Sequence, residues 1–530
     1  MFYNSSDSYE YNDCISRGAC SVSPNIFSMQ EVMFLLLRQI AFYLVKLKSF
    51  GIEKQETVSD VLNEIAFIDA LKDFSEAQIL NSFSKQYVNL VKSRKEYLKI
   101  CKEKEVKCED LKNLIKLSPK TNLSAILKLG DKGFIKKNKN IDSDKKYLIY
   151  IMSGVMKSVC INTIALNEYG ENCMEAANTV IDALNLFNRT RISAEIIKEN
   201  IDALCVCDVE LLRLLNKAQM EAFGLIEQVN VSLSTRPNKV IMVSGSDLND
   251  LKSLLDFVKD TDIDVYTNGN LMIAHAFPYF KQFKNLRGHF GSGVFNTILD
   301  FATFPGAILL TKNESQNIEY LYRGRLFTTD EITPKGVMRI ENNNFSTLVE
   351  SALQAKGFAK GRERESEIIG FDSEKLDEMI DKILAKNPEK IIIIGFSNLS
   401  VKQKDYFSKF YSMLPANYQV ITFSYNPMLD NVLSINIGND YALLYGVLHK
   451  IFEKIPVNSD KLSFFLTKCD INSLSNIITL KNNGAKSIFL SDCPPPVINP
   501  ALLKEFNKMY NIQTLTNPKE DLKILGNKNG

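Results

Sequence analysis

The sequence predicts a multidomain α plus α/β protein, with an N-terminal helical bundle followed by two Rossmann-like open parallel-sheet α/β domains. Three observations predict it. Residues up to about Lys239 carry helical periodicity and almost no strand signal. Beyond that point short β-rich runs alternate with helical spacers. Those runs are apolar without alternation, which suits parallel strands buried on both faces. The expected domains are residues 1–238, all helical, then 239–365 and 366–530 as the first and second α/β domains.

The elements follow in order. From Met33 to Leu47 apolar residues recur at intervals of three and four, predicting an amphipathic helix packed on its neighbours. Arg38 and Lys46 interrupt this run, and it is shorter than the roughly 18 residues of a membrane span. The Lys-rich stretch from Lys92 to Lys146 is interleaved with acidic residues and reads as a solvated helix face plus a surface loop. Predicted strands are KVIMVSG from Lys239, IDVYTNG from Ile263, FPGAILLT from Phe304, KIIIIGF from Lys390, YQVITFSY from Tyr418, LSFFLTK from Leu462 and AKSIFLSD from Ala485. The charged stretch from Gly357 to Lys375 has no strand signal and separates the two α/β domains. The terminal LGNKNG reads as a frayed tail.

With 530 residues, 45% hydrophobic and 24% charged, the chain has the make-up of an ordinary globular protein with room for several domains. A net charge of +2 argues against a nucleic-acid partner. The start MFYNSSDSYEYNDC lacks the basic segment and apolar core of a signal peptide, so a cytoplasmic location away from membranes is expected. There the ten cysteines are expected as reduced thiols or metal ligands rather than disulfides. The chain carries no Walker glycine loop, no G-x-S-x-G elbow and no G-x-G-x-x-G after a strand.

Five runs fall in a telling order: VSGSDLNDL (Val243 to Leu251), VYTNGN (Val265 to Asn270), AHAFPYFK (Ala274 to Lys281), FPGAILLTKNE (Phe304 to Glu314) and YRGRLFTT (Tyr322 to Thr329). Together they resemble the hybrid-cluster protein family, also called prismane or hydroxylamine reductase and related to carbon monoxide dehydrogenases. A more diffuse likeness covers Ala203 to Gly224 and the region after Lys390. The resemblance implies an iron–sulfur–oxygen hybrid cluster and seven ligand positions. Ser246 stands where the family has histidine, Asn270 where it has glutamate and Glu314 where it has cysteine. Phe396 aligns with the persulfide-bearing cysteine and Tyr425 with the cysteine after the next strand. The next cysteine falls near Gly438, and the last glutamate near Cys469. Iron clusters need thiolate, imidazole or carboxylate donors. Glu314 and Cys469 can donate, but two donors do not rebuild a four-iron site.

These positions follow predicted strands, and in open α/β sheets ligands sit beyond the carboxyl ends of the strands. They are therefore expected to converge on a cavity between the α/β domains, with Phe396 and Tyr425 filling by bulk what sulfur once occupied. A mononuclear metal on Glu314, Cys469 and Cys493 is a weaker alternative, with Asp247, His275 and Asp440 nearby in sequence; no C-x-x-C or H-x-x-x-H spacing supports it. His275 reads as a hydrogen-bonded packing residue, while His289 and His449 stay unassigned. The family opens with C-x2-C-x7-8-C-x5-C; here Tyr3 and Ser6 replace the first pair, and Cys14 and Cys20 keep the second. Three readings stay open for that pair: a 4Fe-4S cluster bridging a homodimer, with two thiolates from each subunit, relic thiols without metal, or a zinc or redox pair. Cys205 and Cys207 lie about 200° apart around a helix and read as packing residues. Cys101, Cys108, Cys160 and Cys173 belong to no motif.

The expected function is that of a degenerate hybrid-cluster paralogue without the hybrid cluster, non-catalytic or repurposed for binding, regulation or complex formation. Two alternatives are a metal-dependent oxidoreductase acting on hydroxylamine or nitric oxide at an altered metal site, and a metal-free small-ligand-binding protein.

Overall fold

The computed structural model describes residues 24–68, 75–118, 121–130, 143–189, 191–291, 297–312, 324–330, 333, 336–395, 399–424, 429–468, 471–491 and 500–526. They form two compact units: Met1–Leu211 with Asp470–Thr479 and Pro496–Asn511, and Leu212–Cys469 with Leu480–Pro495 and Ile512–Gly530.

The first unit is helical. It contains α1 (Pro24–Ser49), α2 (Gln55–Phe67), α3 (Glu76–Glu103), α4 (Leu123–Gly130), α5 (Ser143–Asn167), α6 (Met174–Leu186) and most of α7 (Ala194–Phe223). The apolar stripe of α1, including Met33, Leu37, Ile40 and Leu44, is buried as the periodicity predicts, and α1 packs on α3, α4 and α6. A capping box starts α3, where Ser75 accepts from the Gln78 N–H and the Gln78 side chain accepts in return from the Ser75 N–H. Among the described residues one helix, Leu148–Asn167 within α5, is long and apolar enough to cross a membrane; 61% of it is buried by its neighbours, as in a core helix.

One cysteine expectation is corrected. Cys101, in the last turn of α3, forms a disulfide with Cys108, their Cα atoms 5.9 Å apart. The chain reverses just after the helix, with Glu105 in the left-handed region and the Val106 N–H bonded to the Cys101 carbonyl. A spacing of seven across a helix end carries no disulfide signal in sequence. Cys160 and Cys205 are buried free thiols, and Cys173 and Cys207 are partly buried.

The second unit holds two parallel six-stranded sheets. The first comprises β2 (Lys239–Ser244), β3 (Ile263–Asn268), β4 (Leu286–His289), β5 (Ala307–Leu310), β6 (Leu326–Thr328) and β7 (Met338–Arg339), in the order β4-β3-β2-β5-β6-β7. The second comprises β9 (Lys390–Ile394), β10 (Tyr418–Thr422), β11 (Val432–Ser434), β12 (Leu462–Leu466), β13 (Ser487–Leu490) and β14 (Gln513–Thr514), in the order β11-β10-β9-β12-β13-β14. In each, the first strand lies at the centre, the next two run outwards on one side and the last three on the other. This is the doubly wound Rossmann order, with a switch point between the first and fourth strands. The fold class read from the sequence is the one observed.

Helices α8 (Leu248–Val258), α9 (Thr297–Thr303) and α10 (Ser346–Gln354) accompany the first sheet in sequence, and α11 (Leu376–Ala385), α12 (Val401–Ser412), α13 (Tyr441–Lys454), α14 (Ile471–Asn482), α15 (Pro500–Met509) and α16 (Pro518–Gly526) the second. Most of α14 and all of α15 cluster with the helical unit. Val240, Met242, Tyr266, Phe304 and Ile308 form one core cluster of the sheets, and Ile392, Ile394, Phe410, Val420 and Phe465 another. A two-stranded antiparallel pair, β1 (Val229–Val231) with β8 (Glu367–Ile369), lies where the sequence showed no strand. Each partner is three residues long, and the pairing spans more than a hundred residues, so no local pattern announces it.

Candidate functional site at the strand ends

Because every strand in each sheet runs the same way, the C-terminal ends share one edge, and the loops part at the switch points. In the first sheet those loops follow β2, β3 and β5; in the second they follow β9, β10, β11 and β12. Among the described residues hydroxyls and amides dominate both edges. Ser244 Oγ donates to Asn268 Oδ1 at 2.7 Å, and Asn268 Nδ2 donates to the Phe290 carbonyl at 2.7 Å and towards Asp300 Oδ2 at 3.4 Å. In the second sheet Thr467 Oγ1 donates to the Gly395 carbonyl at 2.5 Å, Ser434 Oγ donates to the Ser424 carbonyl at 2.6 Å, and Gln403 Nε2 donates to Ser491 Oγ at 2.9 Å.

Three of the positions singled out in sequence are described. Ser246 lies two residues past β2 with its side chain exposed, and its backbone N–H donates to Thr311 Oγ1 at 3.2 Å. Asn270 sits near the start of a 3₁₀ helix, Gly269–Ala276, which the Leu271 N–H ties to the Gly245 carbonyl at 2.9 Å. Gly438 is buried after β11 in the left-handed region. The structure brings the last two together across the two sheets: Asn439 Nδ2 donates to Asn270 Oδ1 at 3.5 Å, and Gly438 packs against Ile273. Glu314, Phe396, Tyr425, Cys469, Cys493, Cys14 and Cys20 lie outside the described residues. Two neighbours proposed as donors have other work. Asp247 and Asp440 are helix N-caps, accepting from the backbone N–H groups of Asp250 and Leu443.

The polar centre of the first edge is a pair of histidines joined by one hydroxyl. Thr267 Oγ1 lies 3.0 Å from His275 Nε2 and 3.0 Å from His289 Nδ1. The hydroxyl has one proton to share among the two rings and the Gly288 carbonyl, 3.4 Å away, so its direction and the ring tautomers depend on one another. Burial lowers the His275 pKa to about 4, partly opposed by a bond to the Gly288 backbone. Burial and then the charge of His275 lower His289 to about 3. Both rings are neutral at pH 7. Sequence reading gave His275 a packing role and left His289 without one; the only signal was a histidine beside a glycine closing a short strand. Thr267→Val keeps the shape and removes the shared partner, so it should destabilise the fold by about 2 kcal/mol or more, read as a lower urea midpoint. An unchanged midpoint would mean that water replaces the hydroxyl.

A sequence profile of the prismane/CO dehydrogenase family matches residues 10–424. The chain belongs to the prismane/CO dehydrogenase family. Among its relatives are proteins named hydroxylamine reductase: from Thermosipho melanesiensis, 26% identical with 99% of each chain covered; from Rhodospirillum rubrum, 24% identical with 97% of each covered; and from Methanosarcina mazei, 25% identical with 97% of each covered. A solved structure described as NiZn[Fe4S4] and NiNi[Fe4S4] clusters in the alpha subunits of acetyl-CoA synthase/carbon monoxide dehydrogenase aligns with a TM-score of 0.46 at 10% identity, over 96% of this chain and 83% of that one.

The resemblance read from the sequence implies a hybrid iron–sulfur cluster, whose irons need thiolate, imidazole or carboxylate donors. The described positions do not fit it. Ser246 offers a hydroxyl, Asn270 an amide and Gly438 no side chain. A Cβ at Gly438 would lie 2.9 Å from Ile369 Cδ1 and 3.3 Å from Ile273 Cβ, so a side chain there would need these isoleucines to shift. Among the described residues no three His, Cys, Asp or Glu side chains are grouped to hold a metal ion.

Proposed function

We propose that this chain is a family member that keeps the scaffold without the hybrid cluster, serving as a binding, regulatory or complex-forming protein and not as a hydroxylamine reductase. The observation that carries this reading is a glycine at 438, packed closely by Ile369 and Ile273, together with an asparagine at position 270. The residue identities at Ser246, Phe396 and Tyr425 point the same way. A cytoplasmic homodimer joined by one 4Fe-4S cluster through Cys14 and Cys20 of both subunits belongs to the same proposal: four thiolates complete a cubane, and a twofold axis supplies the second pair. A second reading, a metal-free pocket for a small polar ligand, is favoured by the serine, threonine and asparagine side chains of the strand ends.

Iron and acid-labile sulfide, counted per chain on anaerobically purified protein, test the proposal. The expected yield is about two iron atoms per chain, half of one shared cubane, removed together with dimer stability by Cys14→Ser or Cys20→Ser. Iron at about four or more per chain that survives both substitutions would overturn it.

A further inference from the structure

The disulfide at the end of α3 is unequal in its two halves. Cys101 is 2% exposed in the last turn of the helix, whereas Cys108 is partly exposed in the segment that follows. A thiol arriving from solvent therefore meets the Cys108 sulfur first. Cys160, Cys173, Cys205 and Cys207 are free thiols, so among the described residues oxidation is confined to this one pair. A bridge across seven residues constrains the unfolded chain less than one that closes a long loop, which makes its effect mainly local.

The segment after α3 is fastened twice more, and both fastenings lie beyond Cys108. Asp110 Oδ1 accepts from Tyr43 OH at 2.5 Å and from Arg94 Nε at 3.1 Å. Gln39 clasps the chain further on, donating from Nε2 to the Asn113 carbonyl at 2.9 Å and accepting from the Ile115 N–H at 3.0 Å. Between the two cysteines the ties are slighter. The backbone N–H groups of Lys104, Glu105 and Val106 reach only the nearby carbonyls of Ile100, Lys102 and Cys101, and residues 102–107 are exposed. Lys104 Nζ stands 5.1 Å from the centre of the Phe50 ring, a weak contact at an exposed site. Glu105 holds a φ of 51°, a conformation that costs a non-glycine residue free energy and persists where its surroundings impose it.

We propose that Cys101–Cys108 is a redox latch: a dithiol reductant opens it in the folded protein, the turn over residues 102–108 loosens from the end of α3, and the chain from Asp110 to Ile115 stays fastened. A thiolate of the reductant attacks Cys108 Sγ, the S–S bond breaks, and Cys101 leaves and takes up a proton. The second thiol of the reductant then displaces Cys108, which is protonated in turn. Two electrons and two protons pass to the pair, which ends as two thiols, and the reductant ends as a disulfide. The hydrogen bonds of Asp110 and Gln39 keep Cys108 near Cys101, so the latch closes again on oxidation.

The full chain, first equilibrated with oxidised glutathione and then treated with dithiothreitol under native conditions, tests this. Acid quenching, alkylation and mass spectrometry read the state of each sulfur, and brief trypsin digestion reads the turn through cleavage after Lys104 and Lys107. Reduction of the folded chain is expected to raise that cleavage by about tenfold, in step with the population of the open turn, and re-oxidation to reverse it. Cys108→Ser should be cleaved at the fast rate without reductant and ignore its addition. Should that variant fail to fold, the parent protein alone decides. A pair that oxidised glutathione fails to join, a disulfide that dithiothreitol reduces only in urea, or cleavage unchanged by reduction would each overturn the proposal.

Discussion

In an anaerobic viologen-linked assay the protein is expected to reduce hydroxylamine no faster than buffer holding the same amount of free iron. Enzymes commonly accelerate their reactions about a million-fold or more, so even a crippled site would stand out from that background. The resemblance implies that this reduction runs at an iron centre, and the described strand-end residues supply an amide, an exposed hydroxyl and a glycine packed against isoleucines. Of the seven positions that the resemblance marks, Glu314 and Cys469 carry a carboxylate and a thiol that could bind a metal. Glu314→Ala therefore separates the outcomes. Sustained turnover that this substitution abolishes would show a working altered metal site; turnover indifferent to it would come from stray metal.

A second large effect is expected in the helical unit, at Asp208. This carboxylate on α7 is 1% exposed and accepts from Ser158 Oγ and Asn162 Nδ2, each at 2.8 Å. Burial raises its pKa to about 6 from an ordinary 3.8, against the hydrogen bonds that lower it. Below pH 3.8 the group is protonated whether the chain is folded or not. Between 3.8 and 6 the folded state holds the proton more tightly, so stability falls as pH rises, and above 6 the full penalty of about 3 kcal/mol is present. Asp208→Asn keeps an acceptor for both donors and cannot ionise. It should raise stability by about 1 to 3 kcal/mol at pH 8 and by almost nothing near pH 4, read from urea unfolding at the two pH values. A variant less stable than the parent at pH 8 would mean that the hydrogen bonds hold the charged form more firmly than burial opposes it. The histidine pair acts in the opposite sense: with folded pKa values lowered to about 4 and 3, its contribution is complete above pH 6.5 and is lost as pH falls from there.

Much of this fold was legible because buried parallel strands announce themselves. KVIMVSG, IDVYTNG and KIIIIGF became β2, β3 and β9 almost residue for residue, since a strand covered on both faces is rich in apolar residues without alternation. The strands that escaped notice lack that signature. β4 reads LRGH with a glycine and a charge, β7 is two exposed residues, and β1 and β8 find each other only across long sequence distance. Family membership was legible for a different reason, since motifs around turns keep their spacing even where donors change. What the sequence hid was coupling between loops. Nothing local ties Thr267 to His289, Asn270 to Asn439, or Cys101 to Cys108; each depends on where a turn returns the chain.

The residence of Asp470–Thr479 and Pro496–Asn511 in the helical unit has a consequence for how the chain is made. Tyr510 and Ser475 come close to Cys205, and Ser475 also to Asp208, so the environment of these α7 side chains is closed by residues translated much later. At ribosomal speeds of about 5 to 20 residues per second, the N-terminal helices wait roughly 10 to 60 s for those segments to emerge. During that interval the apolar faces of α5 and α7 stand open, and the second unit is synthesised before the first can close. Vectorial folding from the N-terminus, the usual order for separate domains, is denied to this chain. Nascent helical bundles of this kind are natural clients for a chaperone at the ribosome exit.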